Sequence, residues 1–196
     1  GGIGWATSGT TGSTVIGCDT PSSASSLYPV TILGSQAGKG GIAIGNNALN
    51  ANNEAPNTNI AIGNAAMCET NGGNHTTAIG HCTLQAGAGG KNIAVGNNAL
   101  RKVTFAYDNV AIGLQTLCDN LGGGQNVGVG SQTLIGATGA QNTVVGAYSM
   151  QGLTTGGGNV AIGYRVAPLN ETGCCNVCLV YCAGYNENGS HKLHLA

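Results

Sequence analysis

The chain repeats itself with a short period. Ten times a brief, largely apolar triplet runs into a glycine, at Gly17, Gly34, Gly45, Gly63, Gly80, Gly96, Gly113, Gly130, Gly146 and Gly163. The steps between them are 17, 11, 18, 17, 16, 17, 17, 16 and 17 residues. An eleventh copy, Asn176-Val177-Cys178-Leu179, carries Val180 where the glycine would stand, again 17 residues on. Helix-pair repeats need roughly 33 to 47 residues, so a unit this short fits one coil of a β-solenoid instead.

The order inside the unit is constant. Asn109-Val110-Ala111-Ile112-Gly113 is followed, after two variable residues, by Thr116 and Leu117. Asn92-Ile93-Ala94-Val95-Gly96 continues to Ala99 and Leu100, and Asn159-Val160-Ala161-Ile162-Gly163 to Val166 and Ala167. The first four residues alternate with the period of a strand, β-branched side chains on one face and Asn and Ala on the other. The glycine supplies the backbone freedom to leave that strand. The fold class is therefore all-β, a parallel β-roll or β-solenoid of about 11 coils of about 17 residues.

Stacked coils lie about 4.8 Å apart, which turns sequence register into geometry. The expectation is a buried row of Ile42, Ile60, Ile93, Val110, Val127, Val160 and Val177, with a second row from Ile44 through Ile62, Ile79, Val95, Ile112, Val129 and Val145 to Ile162. Leu49, Met67, Leu84, Leu100, Leu117, Leu134 and Met150 would close the core. The column Asn59, Asn92, Asn109, Asn126, Asn142, Asn159 and Asn176 is expected to hydrogen-bond along the stack as an amide ladder. The small residues Ala43, Ala61, Ala78, Ala94, Ala111, Gly128 and Ala161 are expected to pack against further copies of the chain, with a cyclic homotrimer as the natural closure and a monomeric solenoid as the alternative.

Three stretches follow: an irregular N-terminal cap with the first coils (residues 1–34), a regular array (35–185) and a C-terminal strand (186–196). Charged residues are 7% of the chain and the formal net charge is −1, which argues against nucleic acid as a partner. No apolar run approaches the ~18 residues of a membrane span, so no membrane insertion is expected. The scattered acids do not read as an enzyme. Glu69 and Asp119 share a register but stand three coils, about 14 Å, apart, beyond the ~5–10 Å of a glycosidase carboxylate pair. Asp119 instead has Lys102 in the same register one coil away, an expected surface ion pair. No phosphate-binding loop or zinc-protease helix is present, and no cofactor is called for.

Eight cysteines are present, with Cys174, Cys175, Cys178 and Cys182 clustered. A metal centre, disulfides and buried free thiols are the readings to weigh; no second Cys-x-x-Cys pair completes a zinc ribbon, and free thiols rank first because cysteine is commonly buried as a free thiol. No metal is assigned. Binding residues are sought in the variable turns. Arg101, Lys102, Phe105 and Tyr107 concentrate charge and aromatic surface that the rest of the array lacks, and Trp5 is a further candidate. Aromatic faces flanked by polar groups suit sugars and protein interfaces alike, the plainer reading being that Phe105 and Tyr107 pack on the neighbouring coil.

The Asn-Val-Ala-Ile-Gly unit, recurring with Asn-Asn-Ala-Leu at Asn46 to Leu49 and Asn97 to Leu100, resembles the head repeat of YadA-type trimeric autotransporter adhesins. It is more similar still to related repeats in phage and large-virus fibre proteins, and the stretch Asn176 to Leu193 resembles the segment that leads there into an endosialidase-type intramolecular chaperone. The resemblance implies a left-handed, homotrimeric β-roll on a virion surface, two further copies of the chain as partners, and attachment to a host-surface glycan or receptor such as cell-wall polysaccharide. It also implies a chaperone beyond Ala196, cleaved off after assembly or cut away. The longer period and the cysteines depart from bacterial heads and suit a large virus of eukaryotes, an algal chlorovirus for example. The rival readings are an ice-binding solenoid, which would need a regular Thr array where only Thr14, Thr31, Thr77 and Thr143 stand, and a purely structural fibre spacer.

Overall fold

The structure, a computed structural model, describes residues 14–16, 31–33, 41–50, 58–70, 73–87 and 89–195. Its strands are β1 (Thr14–Ile16), β2 (Thr31–Leu33), β3 (Gly41–Ile44), β4 (Asn59–Ile62), β5 (Glu69–Thr70), β6 (Thr77–Ile79), β7 (Ala86–Gly87), β8 (Ile93–Val95), β9 (Val110–Ile112), β10 (Val127–Val129), β11 (Thr143–Val145), β12 (Val160–Ile162), β13 (Val177–Leu179) and β14 (Leu193–Leu195). Each main strand holds the triplet before a repeat glycine or its equivalent, with one residue more in β3 and β4. No helix occurs among the described residues. Twelve strands form one parallel sheet in the order β1-β2-β3-β4-β6-β8-β9-β10-β11-β12-β13-β14, and β5 pairs with β7 in a second, short one. This is a β-solenoid, one main strand per coil.

Register is kept from end to end. Ile42 pairs with Ile60, Ile60 with Thr77, Thr77 with Ile93, Ile93 with Val110, and so on through Val127, Thr143, Val160 and Val177 to Leu193. The C-terminal stretch adds one more strand to the array, β14 pairing with β13 at a 16-residue offset.

The strands face the opposite way to the expected core. Ala43, Ala61, Ala78, Ala94, Ala111 and Ala161 are fully buried inside their own coil, so the alanine column is not a surface for other chains. The β-branched rows point outward: Ile42, Ile79, Ile93, Ile112, Val145 and Ile162 are exposed, and Ile60, Val110, Val127, Val160 and Val177 half-buried. The reason is room. A Cβ placed on Gly128 would lie 2.8 Å from Thr116 Cγ2 and 3.4 Å from Leu117 Cδ1, so at that level the interior has no room even for a methyl group unless Thr116 shifts. Alternation fixes a strand's period, and the thickness of the coil decides which set turns inward. From β3 onward Val144, Cys178 and His194 place larger side chains in this column.

Leu49, Met67, Leu84, Leu100, Leu117, Leu134 and Met150 form the opposite wall and are fully buried. Each such burial contributes about 1.5–3 kcal/mol. These residues adopt left-handed backbone, Leu117 with φ 52° for example, and make the bend that returns the chain across the coil. Beside them Thr83, Thr133 and Ser149 donate their hydroxyls to the carbonyls of Gly96 (2.5 Å), Gly146 (2.6 Å) and Gly163 (2.5 Å), and Thr116 does the same to Gly130.

The asparagines satisfy the buried turns. Asn126 Nδ2 donates to the Gly139 carbonyl at 2.9 Å, while its Oδ1 accepts from the Asn142 backbone N–H at 2.9 Å and from Asn142 Nδ2 at 3.1 Å. Asn159 repeats the pattern on Asn142 and Gly173, and Asn176 accepts from the Lys192 N–H. Asn59, Asn92 and Asn109 continue the ladder below, with Thr76 replacing the amide in one coil. The glycine that ends each strand is required twice over. Gly113 has φ 134°, and a Cβ there would lie 2.3 Å from the Gly130 carbonyl oxygen.

Candidate functional site

Three surface features stand out on this regular body. The first is the outward face of the main sheet. From Ile42 to Leu195 two columns of Ile, Val and Leu run along it, interrupted only by Thr77 and Thr143 and carrying no charge among these strands. Ile93 is 44% and Ile162 46% exposed. At about 4.8 Å per coil, the nine steps from β3 to β14 extend this stripe to roughly 43 Å.

The second lies on the variable turns around the Arg101–Asp108 segment. Its backbone is tied to the short sheet, Lys102 bridging Ala86, and Val103 and Ala106 turn inward. Phe105 (67% exposed) and Tyr107 (50% exposed) are thereby turned outward. The Tyr107 ring leans over Gly90 of the preceding coil, whereas Phe105 helps line an open groove of about 440 Å³ with Glu69, Lys102, Thr104 and Leu121. Asp119 holds both basic residues: Arg101 at 3.3 Å and Lys102 at 3.8 Å, so the arginine, not the lysine, is the nearer partner. Exposed pairs of this kind contribute at most about 1 kcal/mol and serve to hold the groove's rim. The structure brings Arg101, Lys102, Phe105 and Tyr107 onto one segment; Trp5 lies outside the described residues.

The third is an aromatic stripe near the C-terminal end. Tyr148, Tyr164 and Tyr181 follow one another on successive coils, with ring centroids 5.7 Å apart at 76° and 5.9 Å apart at 7°. Arg165 sits 5.8 Å over the Tyr185 ring and shares an open groove of about 340 Å³ with Tyr148, Gln151 and Tyr164. Read along the chain these tyrosines are scattered. Their signal is the coil offset, each falling one or two residues after a glycine position, and only the stacking shows that they adjoin.

The cysteines divide by environment. Cys118 is buried, and burial first, then the neighbouring Asp119 charge, pushes its thiol up to about 11. Cys178 is buried where β14 places His194 beside it, and His194 Nε2 lies 3.5 Å from Glu187 Oε2. That trio has the composition of a thiol-protease site, but burial and then the Glu187 charge raise the Cys178 thiol, the reverse of an activated nucleophile. Cys174 and Cys175 stand apart. Their sulfurs and a ring nitrogen of His191, one coil on, lie within 4.8 Å of one another, and among the described residues this is the one group of His, Cys, Asp and Glu that could hold a metal.

No helix of the described residues is long and apolar enough to cross a membrane. The chain matches no protein-family model, no curated protein and no solved structure.

Proposed function

We propose that the chain is one subunit of a left-handed, homotrimeric fibre or spike segment on a virion surface, attaching the particle to polysaccharide of the host cell wall. The observation that carries this reading is the charge-free aliphatic stripe. A continuous apolar strip roughly 43 Å long is larger than a lone chain in water ordinarily leaves bare. Its natural cover is the same stripe on another copy, because two identical columns of β-branched residues match in length, spacing and lack of charge. Closure about an axis running along the stack lets every coil contribute equally. In this reading the β-branched face, not the buried alanine face, meets the other copies. The same stripe speaks against ice binding, since Thr occupies it only at Thr77 and Thr143 among the coils from β3 onward.

Attachment would then fall to what the assembly leaves outside. Phe105 and Tyr107 beside the Glu69–Lys102 groove, and Tyr148, Tyr164 and Arg165 further along, offer rings next to hydrogen-bonding groups, the combination by which proteins grip sugar rings. The test is co-sedimentation of the assembled protein with isolated cell-wall polysaccharides, comparing wild type with the Phe105→Ala/Tyr107→Ala double variant. Retention that falls at least tenfold in the variant is the expected result. Retention on no wall material, with the assembly intact, would leave only a structural spacer.

A further inference from the structure

We propose that Cys174, Cys175 and His191 form a binding site for a borderline-soft divalent cation, Zn²⁺ in the first instance, with one coordination position left open. The proposal rests on coil register within a single chain, not on the assembly proposed above. Cys175 and His191 occupy equivalent places in consecutive coils, each one residue before the ladder position that Asn176 and Lys192 fill. Both have left-handed backbone with φ 59°, so their side chains leave the turn with the same aim. The backbone fixes the pair. The His191 N–H donates to the Cys174 carbonyl at 2.9 Å, and the Cys175 N–H to Gly157 at 3.0 Å. Cys174 is held from the other side, its N–H donating to Ser190 Oγ at 3.0 Å and its thiol approaching the same oxygen at 3.4 Å.

The donor set suits the cation. Tetrahedral zinc takes thiolate sulfur at about 2.3 Å and imidazole nitrogen at about 2.0–2.1 Å, which separates ligand atoms by roughly 3.5–3.8 Å. The three atoms here already lie within 4.8 Å of one another, so rotation about the side-chain bonds of half-buried and exposed residues closes the set without moving backbone. Two thiolates cancel the charge of the ion, the imidazole stays neutral, and each thiol releases its proton to solvent on binding. Three protein ligands at the surface leave the fourth position for water or for a donor from a neighbouring molecule. Cys178 is not that donor, being enclosed inside the coil.

The experiment is anaerobic titration of the reduced, metal-free chain with Co²⁺. One equivalent should produce a thiolate-to-cobalt charge-transfer band with tetrahedral d–d absorption, and Zn²⁺ should bleach it. Cys175→Ser should abolish the band and His191→Ala should weaken Co²⁺ binding at least tenfold. On the unmodified chain, Zn²⁺ should slow alkylation of Cys174 and Cys175 but not of Cys82, read by peptide mass spectrometry. Absence of the band, a band unchanged in both variants, equal alkylation rates with and without Zn²⁺, or a Cys174–Cys175 disulfide in the protein as isolated would each overturn the proposal.

Discussion

At the scale of single residues, the coil depends on groups that have no freedom to be replaced. Asn126 serves three partners at once in a fully buried position, the Gly139 carbonyl and the N–H groups of Asn142. Removing its amide strands a donor and an acceptor out of reach of water, each costing about 1–3 kcal/mol. Asn126→Ala should therefore destabilise the chain by about 2–5 kcal/mol, read as a drop in denaturant midpoint. Val180 is the converse case. It stands at the glycine register position, keeps φ 83° and is 55% exposed, so it bears left-handed strain with little burial in return. Relief of that strain, about 1–2 kcal/mol, exceeds the extra unfolded-state freedom of glycine, about 0.5–1 kcal/mol. Val180→Gly should raise the same midpoint, by an amount worth about 0.5–1 kcal/mol, and a fall would contradict the strain argument.

At the scale of the element, each coil is a strand, a glycine exit and a left-handed bend, and most of that was legible in the sequence. The triplet before each glycine marks the strands, and the step of 16 to 18 residues through the array sets their register. The facing of the strand was not legible from alternation alone, because a period of two is satisfied by either phase. The size of the residues held the answer: alanine and Gly128 fill this column almost throughout, with the β-branched Val144 only beside Gly128, so a full β-branched row would not fit inward. The joining of Tyr148, Tyr164 and Tyr181 into one stripe, and of Cys174, Cys175 and His191 into one group, is hidden for another reason. Both are contacts between coils, invisible to spacing rules written for helices and zinc ribbons but given by adding 16 or 17 to a residue number. The coil interior also sets a pH dependence. Cys118, raised from its ordinary 9.0 to about 11, stays protonated in the folded chain while an unfolded chain would ionise it. Its contribution to stability is therefore undiminished below pH 9 and lost as pH rises from 9 towards 11. Alkylation of Cys118 in the folded protein should accelerate about tenfold per pH unit up to that point, because only the thiolate reacts. Rapid labelling at pH 8 would show the thiol to be neither buried nor raised.

At the scale of the whole molecule, strands that turn their small side chains inward turn their β-branched ones outward. The chain thus builds a thin, well-bonded coil at the cost of a long aliphatic face that water disfavours. That is the structural case for self-association, and it places the consequence on named residues. The decisive measurement is native mass by light scattering under reducing conditions, for the wild type and for Ile112→Lys, which puts a charge mid-stripe on a side chain already 40% exposed. A trimer closed on this stripe has a wild-type mass three times the 19.2 kDa chain, and the variant dissociates with its β-sheet spectrum retained. A wild-type mass of 19.2 kDa would contradict it.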